Sequence, residues 1–195
     1  EDDYDSEFRF VGRPIPSLYS TDENERVVYL NTFSKTIAPS IRISYMILPP
    51  KLLERYREKL GFYACTVSGF EQYTLAKFLE QGYFERHLGR MRNRYRQKRD
   101  QVITAFLQGP LAGRVKITGQ DAGLHFLAEL QTSLPDDVLQ HRAAEKGLRL
   151  AVLSDYYHDK KGARQHTLVV NYSGLNLQHL PRALEYLADI IKEGS

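Results

Sequence analysis

The sequence has a single cysteine, Cys65, among 195 residues, so it excludes an internal disulfide and fits a reducing cytosol. No apolar run approaches the roughly 20 residues that a membrane-spanning helix needs. No stretch resembles a signal peptide. The net charge is only +3, which is too small to indicate a nucleic-acid-binding surface. These absences predict a cytoplasmic globular chain with no membrane contact.

Metal-binding patterns are missing too. The six histidines fall at no spacing that is typical of metal ligands. The acidic opening, residues 2–7, lacks the glycine and the distal glutamate that the calcium-binding loop of an EF-hand requires. The sequence therefore predicts no metal site.

Two stretches of the chain carry unusual combinations of residue types. The first reads Glu-Asp-Asp-Tyr-Asp-Ser-Glu-Phe-Arg over residues 1–9. The second reads Leu-Asn-Thr-Phe-Ser-Lys over 30–35 and continues as Ala-Pro-Ser-Ile-Arg-Ile-Ser-Tyr over 38–45. It places Lys35 and Arg42 seven residues apart, among small hydroxyl residues and between two β-patterned segments.

These residue types suit a pyridine aldehyde that carries a phosphate. Lys35 offers the amine that stores an aldehyde as a Schiff base. Asp2 offers a carboxylate that keeps a ring nitrogen protonated. Tyr4 lies two residues on along an extended segment, so it shares the face of Asp2 and can hydrogen-bond a ring hydroxyl. The remaining candidates suit a dianionic phosphate: Arg42, Thr32 and Ser34.

In the order of Asp2, Lys35 and Arg42 and in their spacing along the chain, the two stretches resemble the cofactor-holding core of the aspartate-aminotransferase fold. This is the large family that uses pyridoxal 5'-phosphate. The opening, Asp-Asp-Tyr-Asp-Ser-Glu-Phe-Arg, is similar to the MocR/GabR branch of GntR-type transcription regulators. In that branch an aminotransferase-like domain follows a winged helix-turn-helix and senses an effector. The resemblance implies that Lys35 forms the internal aldimine and that the cofactor is bound by Asp2, Tyr4, Thr32, Ser34, Lys35 and Arg42.

The resemblance also implies the α/β class and the C-terminal half of an aspartate-aminotransferase-like fold. Residues 1–62 would be the remnant of the large cofactor-binding domain. Residues 63–195 would hold a long bridging helix and a small α/β C-terminal domain. A complete domain of the family is longer than this chain, which also has no starting methionine. We therefore expect a fragment without the first half of the large domain and without the winged helix.

Apolar periodicity and turn residues predict the individual elements. A loop is expected at residues 12–16. Helices are expected at 51–60, 68–80, 83–107, 135–146 and 180–192. Strands are expected at 26–30, 43–48, 114–118, 124–129, 148–153 and 167–172.

Basic residues crowd the helix expected at 83–107. On a helix they cover every direction except the apolar stripe, which is typical of a solvated face. The aromatic interleaving that would stack bases is missing. We interpret the run as a solvated face and expect DNA to be bound by a winged helix absent from this chain. The run comprises Arg86, His87, Arg90, Arg92, Arg94, Arg96, Lys98 and Arg99.

The chain departs from the catalytic aminotransferases on its penultimate strand. Those enzymes usually carry an arginine there that grips the substrate carboxylate, but this chain has Val169 in a Val-Val-Asn-Tyr-Ser run. Arg149 and Arg164 are each either a substitute anchor or a surface charge. His125, in an Ala-Gly-Leu-His run similar to one of the MocR branch, is either an effector contact or a core histidine.

The leading hypothesis is an effector-sensing domain of a GntR/MocR-type regulator. An amine or amino-acid effector would displace Lys35 from the cofactor by transimination, with full turnover left open. The intact protein would be a homodimer. The alternative is a catalytic class I/II aminotransferase that transfers an amino group from an amino acid to a 2-oxo acid. Val169 and the form of the opening turn argue against it. A third hypothesis is a regulator that senses the cofactor itself.

Overall fold

A computed structural model describes residues 1–12 and 15–192, and the chain divides into two compact units, 1–93 and 94–195. The fold is of the α/β class, as predicted. Arg13 and Pro14 of the predicted loop lie outside the described residues. The predicted division into 1–62 and 63–195 refers to the large and small domains of the complete aminotransferase fold, and it stays a prediction. No helix within the described ranges is both long enough and apolar enough to cross a membrane.

The first unit is built on a pair of antiparallel strands, β1 (Tyr29–Thr32) and β2 (Ser44–Ile47). A short helix, α1 (Leu18–Thr21), precedes β1, and another, α2 (Phe33–Thr36), follows it directly. A 3₁₀ turn then leads into β2. Two longer helices complete the unit: α3 (Pro50–Leu60) and α4 (Gly69–Glu80).

The second unit holds an antiparallel sheet in the order β3 (Val115–Thr118), β4 (His125–Leu130), β5 (Thr167–Asn171). Helix α5 (Tyr83–Gln108) supplies residues to both units, and α6 (Asp136–Glu145) and α7 (Leu180–Lys192) belong to the second unit.

Three aromatic rings form the centre of the second unit. Phe126 of β4 packs edge-on against Phe106 of α5 and stacks on Tyr172, with ring centroids 5.9 and 6.2 Å apart. The apolar stripe of α7 is buried as well, including Leu184 and Ile190. Phe126 therefore marks the face of the sheet that the helices cover.

The predicted helices are all confirmed within one residue at each end, and so are most strands. The strand expected at 26–30 is misplaced, because the carboxylate of Asp22 accepts the backbone N–H groups of Arg26 and Val27 and holds them in a loop. The strand expected at 148–153 is wrong. Only Val152 pairs, with Leu168, before a 3₁₀ turn begins.

The basic run on α5 is only partly a solvated face. Arg92 Nε donates to the main-chain carbonyl of Glu7. Lys98 Nζ donates to another carbonyl at 2.8 Å. The side chain of Arg99 donates to Gln120 O at 2.9 Å, and that residue is only 9% exposed. These three cations anchor main-chain segments within their own units, so the interpretation was wrong for them.

Candidate functional site

The six predicted cofactor residues lie on segments that adjoin the β1–β2 pair. Residues 1–3 run parallel to β1, since Asp3 N donates to Leu30 O at 2.9 Å and Leu30 N donates to Glu1 O at 2.8 Å. The last residue of β1 and the turn of α2 sit at the carboxyl end of that strand, where β2 begins. Asp2 thus lies beside Leu30, Tyr4 follows it in a bend, Thr32, Ser34 and Lys35 lie at the carboxyl end of β1, and Arg42 precedes β2.

Thr32 builds the turn that presents Lys35. Its backbone is extended, and its hydroxyl accepts the N–H of Ser34 at 3.2 Å, so it caps the start of α2. The same hydroxyl lies 3.1 Å from Ser34 Oγ and 3.2 Å from Ile43 O. Both hydroxyls are therefore engaged in shaping the turn, and their phosphate contacts stay a prediction.

The charged members of the group are exposed and free of partners. The side chains of Asp2, Lys35 and Arg42 form no hydrogen bond or ion pair with any residue that the structure describes. Arg42 also adopts a left-handed conformation, with φ at 50°, which costs a non-glycine residue about 1 kcal/mol.

This donor set fits pyridoxal 5'-phosphate. An amine, a carboxylate and a guanidinium lie on segments that adjoin the strand pair, and none is neutralised by another within the described part of the chain. Asp2 lies in an extended segment but Tyr4 begins a bend, so the face that they were expected to share stays a prediction. Both are exposed. The site therefore presents a cation pair and a carboxylate that are available to a dianionic ligand with a ring nitrogen.

The opposite face of the same strands carries a hydrogen-bonded network that the sequence analysis missed. Tyr29 Oη donates to the carboxylate of Asp3 at 2.9 Å, and Asn31 Nδ2 donates to Tyr29 Oη at 2.9 Å. Asn31, only 5% exposed, also lies within 3.3 Å of Glu7 Oε1. The network fastens residues 3–7 to β1, and so it fixes Asp2 beside the strand that leads to the lysine.

Burial changes the pKa values of the titratable side chains in and around this network. Burial raises the pKa of Tyr29 and, less strongly, that of Tyr45, so both phenols stay protonated donors. Burial likewise raises the pKa of Glu7. Its bond from Asn31 and the charge of Arg92 oppose the shift, and the charge of Asp3 adds to it.

Glu7→Gln tests this assignment through pH. The folded pKa of Glu7 lies above its ordinary value of 4.5. As the pH rises above 4.5, Glu7 therefore loses its proton in the unfolded chain before it does so in the folded protein. The free energy of unfolding consequently falls as the pH rises through the pKa of Glu7 in the folded protein. We expect Glu7→Gln to gain stability relative to wild type between about pH 4.5 and pH 7. Urea unfolding at both pH values measures it.

The control for this experiment is Glu54→Gln, which changes an exposed carboxylate on α3. Its difference from wild type should be the same at both pH values. A Glu7→Gln difference that is also independent of pH would contradict the raised pKa.

The weaker candidates lie in the second unit. His125 begins β4 directly opposite Asn171 and is exposed, so the core-histidine interpretation is wrong. Arg164 Nη2 lies 2.7 Å from the carboxylate of Glu129, which neutralises its charge. Arg149 is exposed and forms no side-chain bond with the described residues.

Arg149 lines a cavity of about 460 Å³ together with Phe106, Val169 and residues of α7. Phe106 packs on Phe126, and His125 projects from the other side of β4 because side chains alternate along a strand. His125 does not line this cavity, although its register partner Asn171 does. Their effector roles stay a prediction.

Among curated proteins, the chain is similar to bacterial transcription regulators. The sequence is 37% identical over 187 residues to the HTH-type transcriptional regulator YdeL of Bacillus subtilis, covering 96% of this chain and 40% of that protein. It is 36% identical over 177 residues to the probable rhizopine catabolism regulatory protein MocR of Rhizobium meliloti, covering 90% and 35%. The chain thus spans about two fifths of the length of these relatives. No protein-family model matches it.

Solved structures resemble the fold closely. The kynurenine aminotransferase of Pyrococcus horikoshii superposes with a TM-score of 0.81 at 27% identity, covering 99% of this chain and 47% of that one. The structure of that enzyme was determined with pyridoxamine phosphate (PMP) and kynurenine as substrates. The fold is therefore that of roughly half of a fold-type-I aminotransferase.

Proposed function

We propose a function on the premise that this chain is the C-terminal part of an aminotransferase-like domain of the MocR type, found in GntR-type transcription regulators. We infer that this domain binds pyridoxal 5'-phosphate through Lys35 and senses an amine-bearing effector. One observation carries the inference. Asp2 pairs beside Leu30 of β1, Lys35 lies in the helix that directly follows β1 and Arg42 precedes β2; each is exposed and without a partner among the described residues.

Each of these residues has a definite task. Lys35 would hold the cofactor through its amine, which is the nucleophile that an aldehyde requires. The Asp2 carboxylate would keep the ring nitrogen protonated, and the Tyr4 phenol would hydrogen-bond the ring hydroxyl. Arg42 would hold the phosphate. When bound, the cofactor supplies an electrophilic carbon and an electron sink.

Effector recognition follows from the same chemistry. An amine-bearing effector would compete with the Lys35 amine for the bound cofactor. Displacement of the lysine would then be signalled to a winged helix that binds DNA. We place this activity in the cytoplasm, in a homodimer of the intact protein.

A catalytic aminotransferase is the second candidate, and the similarity to the Pyrococcus enzyme favours it. Val169 argues against it, because the valine side chain has neither a charge nor a hydrogen-bond donor with which to bind a carboxylate. Val169 also lies half-buried in β5. The difference between sensor and enzyme is whether an oxo acid is released.

The test is an absorbance spectrum of the intact protein with pyridoxal 5'-phosphate, followed by a panel of amines and amino acids. A sensor should show a visible band that shifts with one amine while no 2-oxo acid accumulates. Steady oxo-acid formation after addition of a second 2-oxo acid would identify an aminotransferase. The absence of any band would refute cofactor binding altogether.

A further inference from the structure

A second cavity in the first unit lies on the side of the strand pair that carries the Glu7 network. Its volume is about 550 Å³, within the range of about 300–1,000 Å³ usual for small-molecule sites. It is lined by Glu7 and Asn31, by Ile43 and Tyr45, by Phe33 and Thr36 of α2, by Gln72 and three apolar residues of α4, and by Phe84 of α5. Asp2 lies on the other face of the strands, because it neighbours Asp3 in an extended segment.

Two polar atoms in this wall are buried and unsatisfied. Glu7 Oε2 and Thr36 Oγ1 have no hydrogen-bond partner within the described ranges, and Thr36 is only 1% exposed. Glu7 forms no ion pair with a side chain in the described part of the chain, so the wall of the cavity carries an unpaired carboxylate. The nearby cation, Arg92, donates to the main-chain carbonyl of Glu7.

Three aromatic side chains also line the cavity. Phe33 lies 5.4 Å from Tyr45 and 6.0 Å from Phe84, measured between ring centroids, and the rings are tilted or perpendicular to one another. Aromatic faces arranged around a carboxylate attract organic ammonium cations, since the ring faces are electron-rich. A phosphate or a carboxylate would be repelled by Glu7 once ionised.

We propose that this cavity binds an alkylated ammonium cation, with its charge beside the Glu7 carboxylate and its apolar groups against Phe33, Tyr45 and Phe84. Lys35 does not line this cavity, but the helix that carries Lys35 does, because Phe33 and Thr36 are the first and last residues of α2. A bound cation therefore packs against the helix that presents Lys35.

The probe is N,N-dimethylbenzylammonium, a tertiary amine that cannot condense with an aldehyde, so its binding is independent of the cofactor. Titration calorimetry on the full chain should give saturable binding, with similar affinity in Lys35→Ala. Glu7→Gln should weaken binding about tenfold or more, because it removes a charged acceptor. Phe84→Leu should weaken it about threefold, because a ring face is lost and the apolar contact remains.

Controls separate the outcomes. Glu54→Gln should bind as wild type does, and neutral N,N-dimethylbenzamide should bind at least tenfold more weakly. Equal binding of the neutral amide would overturn the choice of a cation. Unchanged affinity in both Glu7→Gln and Phe84→Leu, or no binding in a protein that still shows the cofactor band, would overturn the site. Loss of the cofactor band with retained ammonium binding would refute only the proposed function.

Discussion

Lys35→Ala is expected to abolish the visible absorbance band that the intact protein forms with pyridoxal 5'-phosphate. The amine at position 35 is the only nucleophile of the proposed site that can bond to the aldehyde carbon, and alanine removes it. Lys35 is exposed and forms no bond with the described residues, so the fold should survive. The spectrum is measured with a circular-dichroism check on folding.

The matched control is Lys51→Ala, which removes an exposed lysine from α3 and should leave the band unchanged. Lys35→Arg keeps the charge but not the nucleophile, and it should lose the band as well. If the band persisted in Lys35→Ala and vanished in Lys51→Ala, the site would have been assigned to the wrong lysine.

The position of Lys35 was predictable because its surroundings are local. Thr32, Ser34 and the strand before them are neighbours in the chain, so the order of residue types determines the turn. The Glu7–Asn31 contact was not predictable in this way, because it joins residues 24 positions apart. The alternation of polar side chains at Tyr29 and Asn31 within a strand was the one available signal.

The helices were predictable for a related reason. Their apolar stripes are properties of one segment, whereas a strand exists only through its partner. The stretch at 148–153 has the residues of a strand but pairs only at Val152. The start of β1 shifts to Tyr29 because a side chain, Asp22, takes up backbone donors that a strand would use.

Phe126→Ala is expected to cost the second unit about 3–5 kcal/mol of stability. Phe126 is 0% exposed, and its ring contacts both Phe106 and Tyr172. Tyr172 is itself fixed, since its hydroxyl donates to Gly123 O. The surrounding groups therefore cannot collapse into the space that the lost ring leaves. Urea unfolding of the chain, followed by circular dichroism, measures the change.

The neighbouring Leu127→Ala supplies the comparison, because Leu127 projects from the other side of β4 and is only half-buried. Its truncation should cost about 1–2 kcal/mol, in proportion to the smaller apolar area removed from water. Equal losses for the two variants would mean that both faces of the sheet are covered to the same extent. That result would contradict an open face at His125 and Asn171, which lie opposite each other. It would also remove the support for an effector contact by His125.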